Sequence, residues 1–81
     1  MNLEQEIKEI VSTIIQIPIV DIDMNASFFD DYGMDSLRAL EILAEIENQY
    51  NIMIDPEKLM QMTSVAGIVE ITQEYLEEKN A

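Results

Sequence analysis

The sequence predicts an all-α fold: a four-helix bundle of three main helices and a short third helix, with a long ordered loop between helices one and two. Three observations carry that expectation. Apolar residues recur at i, i+3 and i+4 in three separate segments. The stretch between the first two segments has no period and is dense in turn-forming residues. No segment alternates apolar and polar residues as a pair of strands would. With 81 residues there is room for one hydrophobic core, so residues 1–81 are expected to form a single domain. A hydrophobic content of 48% belongs to a folded chain rather than a disordered one.

Leu3, Ile7, Ile10, Val11 and Ile14 share one face of a first helix over residues 3–16. Asn2 is placed to cap it with Gln5 reaching back, Glu4 and Lys8 stand one turn apart as a pair, and Pro18 disfavours helical geometry at Ile17. Residues 17–34 gather Pro18, Asp21, Asp23, Asn25, Asp30, Asp31 and Gly33, with Ile19, Ile22, Phe28 and Phe29 available to pin this loop on the core. The second helix starts at Ser36, with Asp35 as its N-cap, and runs to about Tyr50. Arg38, Glu41, Glu45, Asn48 and Gln49 form its polar arc. Leu40, Ile42, Leu43, Ala44, Ile46 and Tyr50 cover so much of the remainder that neighbours are expected on more than one side, which makes this the central helix.

Asp55, Pro56 and Glu57 read as the N-cap, first-turn proline and first-turn acid of a short third helix ending near Gln61. A fourth helix begins near Thr63 or Ser64 and buries Val65, Ile68, Val69, Thr72 and Leu76, with Ile71 and Tyr75 beside them. Residues 77–80 are expected to fray into solvent. Met53, Met60 and Met62 are expected as core filler, soft enough to repack around a guest.

Composition removes more functions than any motif adds. Zero histidines leave Ser36 without the usual general base, so a Ser-His-Asp triad is excluded, and Gly33 and Ser36 miss the spacing of a nucleophile elbow. Two glycines cannot build a phosphate-binding loop or a dinucleotide fingerprint. Asp21, Asp23 and Asn25 resemble the opening of a calcium loop, yet Ala26 stands where its sharp turn needs glycine and Tyr32 where its bidentate glutamate belongs, so no metal site is expected. Seventeen acidic against four basic residues give a net charge of −13, which repels nucleic acid and anionic lipid surfaces and reads equally as a device for solubility or as steering toward basic partners. Zero cysteines and the lack of a signal segment point to the cytoplasm.

Ser36 at a helix start is, by itself, an ordinary capping pattern. Gly33-x-Asp35-Ser36-Leu37 followed by Arg38-Ala39-Leu40-Glu41, however, resembles the phosphopantetheine attachment site of the acyl carrier protein family, and the expected order of helices resembles that family over essentially the whole chain. The resemblance implies a single acyl carrier domain whose 4'-phosphopantetheine arm, taken from coenzyme A by a phosphopantetheinyl transferase, is attached to Ser36 between Asp35 and Leu37. The arm then holds acyl groups as thioesters for enzymes of fatty-acid, polyketide or related biosynthesis, and the carrier itself catalyses nothing.

The resemblance further implies that Asp35, Glu41, Glu45 and Glu47 address basic docking patches on loading enzymes and synthases, with Arg38 on the same partner-binding face. Arg38, Asn48 and Tyr32 depart from the primary fatty-acid pattern, which keeps specialised acyl pathways open. Ala44, Ile46, Ile54, Leu59, Met62 and Ile71 could part to shelter an acyl chain, against the simpler reading of a closed core. Met1 leading straight into the first helix suggests a free-standing domain, and a monomer suits a carrier that must visit several partners. The rival reading is a non-catalytic acidic interaction module in which Ser36 is only a helix cap.

Self-repulsion at this charge predicts a salt-dependent fold. The melting temperature should rise as added NaCl shortens the Debye length from about 10 Å at 0.1 M to about 3 Å at 1 M. A melting temperature that does not move across that range would remove self-repulsion from the account.

Overall fold

Capping chemistry sets where each helix begins. In the structure, a computed structural model that describes residues 2–79, the Asn2 side chain accepts a hydrogen bond from the Gln5 backbone N–H at 3.1 Å, and α1 (Leu3–Ile15) follows. Gln16 closes α1 in the left-handed region at φ 60°, with its N–H donating to the Ser12 carbonyl. Ser12 Oγ donates onward to the Ile17 carbonyl at 2.6 Å, so the chain leaves the helix along a fixed path.

Two helical turns lie inside the stretch expected as loop. Pro18 leads into a 3-10 turn over Ile19–Asp21, and Ser27 caps α2 (Phe28–Asp31). The α2 cap is reciprocal: Ser27 Oγ accepts from the Asp30 N–H at 3.2 Å, and the Asp31 carboxylate accepts from the Ser27 N–H at 2.7 Å. α3 (Ser36–Tyr50) starts on Asp35 and ends at Asn51, again left-handed, at φ 54°. The short third helix is a 3-10 segment, Pro56–Gln61, with Asp55 accepting from the Glu57 N–H at 3.0 Å. α4 (Val65–Lys79) is opened by Ser64, whose hydroxyl accepts from the Gly67 N–H at 3.1 Å.

Packing corrects several expectations. α1, not α3, is the helix that lies closely along two others, with α3 on one side and α4 on the other. Its residues Ile7, Ile10 and Val11 meet Ile42 and Ile46 of α3 and Val65 and Ile68 of α4 in one buried cluster. The second apolar side of α3 is left open: Leu40 and Ala44 face solvent, because no element covers that arc. Phe28 is 1% exposed and anchors the loop, whereas Phe29 next to it is 43% exposed, since one turn of helix points neighbouring side chains about 100° apart. Met62 enters the core, but Met53 and Met60 lie at the surface. Glu4 and Lys8 do not close an ion pair; among the described residues the pair within 4 Å is Arg38 with Glu41.

The far end of α4 is tied down rather than frayed. Lys79 Nζ donates to the Asn51 carbonyl at 3.0 Å and to the Tyr50 carbonyl at 3.4 Å, placing a cation on the negative end of α3. The expectation for Asn80 lies outside the described residues. Tyr50 O–H donates to Glu6 at 2.9 Å and joins α3 to α1; burial and this carboxylate push the hydroxyl up to about 12. Thr72 is fully buried, and its hydroxyl has no partner among the described residues.

The 3-10 segment reaches α4 at Gly67, where a Cβ would overlap the Gln61 carbonyl oxygen. This helix gives up propensity there so that two backbones can meet. Gly67→Ala should therefore destabilise the fold by about 1–3 kcal/mol, although Ala is the better helix former by about 1 kcal/mol. Urea unfolding measures the difference, and a variant as stable as the parent or more so would show that the 3-10 segment is free to withdraw.

Candidate functional site

Ser36 is positioned by what precedes it. The loop from α1 is sewn to the start of α4: the Phe28 N–H donates to the Thr63 carbonyl at 2.8 Å, and the Ala66 N–H donates to the Met24 carbonyl at 2.9 Å. Tyr32 braces the same loop, its hydroxyl accepting from the Asp23 N–H at 2.8 Å and its ring lying 6.4 Å from that of Phe28. Gly33 turns the chain at φ 61°, a left-handed value that costs glycine nothing, and the Met34 N–H closes on the Phe28 carbonyl at 3.0 Å. Met34 is then buried, and Asp35 arrives extended as the N-cap of α3.

Asp35 Oδ1 accepts from the Arg38 N–H at 2.9 Å, and the Asp35 carbonyl accepts from the Ala39 N–H at 3.2 Å. Ser36 is the first residue of the helix and is exposed; among the described residues no hydrogen bond engages its hydroxyl, nor the N–H of Ser36 or Leu37. Unpaired N–H groups at the positive end of a helix suit an anionic oxygen. A phosphodiester on the Ser36 oxygen fits this donor set, despite the Asp35 carboxylate beside it, because that carboxylate is turned to the Arg38 N–H.

The other site residues are sorted by α3. Leu37 and Leu40, 66% and 49% exposed, share with Ala44 an outward arc about 60° wide that begins next to Ser36. Arg38 Nη1 meets Glu41 Oε2 at 3.2 Å in a half-exposed pair of the kind worth about 0–1 kcal/mol. Glu45 faces a groove against α1 shared with Glu6 and Glu9. Glu47 is placed differently from the rest, since its carboxylate accepts from the Ile54 N–H at 2.9 Å and holds the chain after α3. On the core side of the site, Phe28, Met34, Ala39, Ile42, Leu59 and Met62 close together with no space for a water molecule between them. Of the residues expected to shelter an acyl chain, Leu59 and Met62 line this closed space, Ala44 is exposed, and Ile46, Ile54 and Ile71 are buried outside that lining.

Sequence reasoning missed the backbone bonds to Thr63 and Met24 and the bracing hydroxyl of Tyr32, none of which leaves a mark in composition or period. The exposure of Leu37 and Leu40 was equally hidden, because periodicity ranks residues by polarity and not by what covers them.

Fold and site together define a class: a small acidic helical bundle that holds one serine hydroxyl outward at a helix start. Residues 5–71 match the family model described as "Phosphopantetheine attachment site". The chain is 35% identical over 79 residues to the acyl carrier protein of Buchnera aphidicola subsp. Schizaphis graminum, covering 98% of this chain and 95% of that one. It is 37% identical over 71 residues to polyketide-8 synthase acyl carrier protein 1 of Streptomyces avermitilis, covering 88% and 84%. With the acyl carrier protein of Clostridium acetobutylicum it shares 30% identity over 74 residues, covering 91% and 96%. The chain belongs to the phosphopantetheine-binding acyl carrier protein family, and its function is that of a carrier.

Removing the cap tests how the site is held. Asp35→Ala should cost about 1 kcal/mol of stability and loosen the first turn of α3, read as faster amide exchange at Arg38. Unchanged exchange at Arg38 would mean that packing of Met34 and Ala39 alone holds the turn.

Proposed function

We propose that Ser36 is the attachment point of the 4'-phosphopantetheine arm and that residues 1–81 act as one carrier domain. The observation that carries this reading is the exposed Ser36 hydroxyl at the first helical position, above two backbone N–H groups without intrahelical acceptors. A phosphopantetheinyl transferase joins Ser36 Oγ to the phosphorus of coenzyme A that bears the pantetheine. 3',5'-adenosine bisphosphate leaves, and the hydroxyl proton passes to the transferase or to water. The N–H groups of Ser36 and Leu37 steady the phosphodiester so formed. When bound, the arm supplies the thiol that this cysteine-free chain lacks, and acyl groups ride on it as thioesters.

The chain catalyses nothing in this reading; it presents cargo to loading enzymes and synthases in the cytoplasm as a monomer. Two relatives bear the plain name acyl carrier protein and one is a polyketide synthase carrier, so chains built by fatty-acid or polyketide synthases are the cargo class. No helix among the described residues is long and apolar enough to cross a membrane. Asp35, Arg38, Glu41 and Glu45 form the charged part of the docking face. Glu47 belongs less to it, being occupied with Ile54.

Incubation with coenzyme A and a broad-specificity phosphopantetheinyl transferase, followed by intact mass measurement, tests the assignment. One arm should be added to the parent and none to Ser36→Ala. An unmodified parent, under conditions that convert a control carrier, would remove Ser36 as the attachment point.

A further inference from the structure

A cation sits where helix physics prefers an acid. α1, α2 and the 3-10 segment over Pro56–Gln61 each carry acidic residues in their first turn, while α3 and α4 carry none, and of these two α3 places a cation there. Its third helical position is Arg38, whose charge lies at the positive end of the helix dipole. Local stability of α3 therefore argues against Arg38. It is also one of four basic residues in a chain of net charge −13. The guanidinium closes on Glu41, and beside that pair runs the exposed apolar arc of Leu37, Leu40 and Ala44. The surface next to Ser36 is thus mixed in sign around an apolar strip, on a molecule that is otherwise strongly acidic.

We propose that Arg38 determines partner choice. It matches an enzyme whose docking patch sets a carboxylate against Arg38 and a basic side chain against Glu41, around an apolar seat for Leu37 and Leu40. It discriminates against a patch that is basic throughout. This inference rests on Ser36 being the attachment point. A uniformly basic patch is drawn in by the distant acidic surface but meets a guanidinium at contact, and must part Arg38 from Glu41 to use the glutamate. A mixed patch replaces each half of the pair with an opposite charge. Leu37 and Leu40 supply contact area common to both partners, and Arg38 supplies the selection.

The test uses the full chain and, as the probe, a phosphopantetheinyl transferase with a basic docking patch, together with a variant of that transferase in which one patch cation facing α3 is changed to Glu. Arm transfer to the parent, Arg38→Ala and Arg38→Glu is followed by intact mass against carrier concentration, giving kcat and KM separately. Both substitutions keep the Asp35 cap, which accepts from the backbone N–H of residue 38 whatever its side chain. With the basic transferase, KM should fall by about threefold or more from the parent to Arg38→Glu, with Arg38→Ala between them and kcat steady; the spread should shrink as salt is added. With the charge-reversed transferase the order should invert, leaving the parent with the lowest KM. Equal KM values, or one order with both transferases, overturn the role of Arg38. A change confined to kcat also overturns it, because it would put Arg38 at the reacting phosphate instead of the docking patch. No mass gain by the parent, where a control carrier is converted, defeats the attachment reading itself and so separates the two failures.

Discussion

Two backbone hydrogen bonds decide where Ser36 stands. The Phe28 N–H on the Thr63 carbonyl and the Ala66 N–H on the Met24 carbonyl join the loop after α1 to the start of α4, across a wide separation in sequence. A connection of this length loses considerable entropy when it is ordered, and burying Phe28, worth about 2–3 kcal/mol, offsets only part of that loss. The backbone bonds convert the anchored phenyl ring into a direction for the chain. Gly33 can then reverse it, Met34 can enter the core, and Asp35 can present its carboxylate to the first turn of α3. Without that seam the cap would still be encoded but would have no fixed place in the bundle.

Local chemistry explains what was legible in the sequence. Asn2, Asp35 and Asp55 each act on an N–H two or three residues away, so their roles need no knowledge of the fold, and all three cap as their positions suggest. The helix start at Ser36 was legible for the same reason, since the Asp35 that caps it stands next to it in the chain. What was not legible depends on neighbours distant in sequence. Leu40 and Ala44 carry the same apolar signature as Ile42 and Ile46, and only the placement of α1 and α4 determines which pair is covered. Phe29, Met53 and Met60 were misplaced on the same ground. The family comparison repaired none of these, since likeness to known carriers names the fold without stating which apolar residues this chain leaves exposed.

The acidic residues show a similar division. Asp31 holds the Ser27 N–H, Asp35 the Arg38 N–H, Asp55 the Glu57 N–H and Glu47 the Ile54 N–H. Part of the negative charge therefore engages backbone N–H groups, three of these four carboxylates doing so at exposed positions. Four basic residues cannot neutralise it, and two of them are spent on fixed contacts: Arg38 on Glu41 and Lys79 on the end of α3. Charge on this protein is best described by what each carboxylate touches, because the net value of −13 does not distinguish a cap from a docking group.

The chain has three tyrosines and no tryptophan, and each tyrosine hydroxyl spans a different junction: Tyr32 within the loop before Ser36, Tyr50 between α3 and α1, and Tyr75, which accepts from the Asp55 N–H at 3.0 Å, between α4 and the entry to the 3-10 segment. The protein consequently contains its own set of optical and magnetic reporters. Single Tyr→Phe replacements would assign the three signals, and each would then follow one seam of the bundle during loading or docking, with no indole emission to mask it and no label to attach.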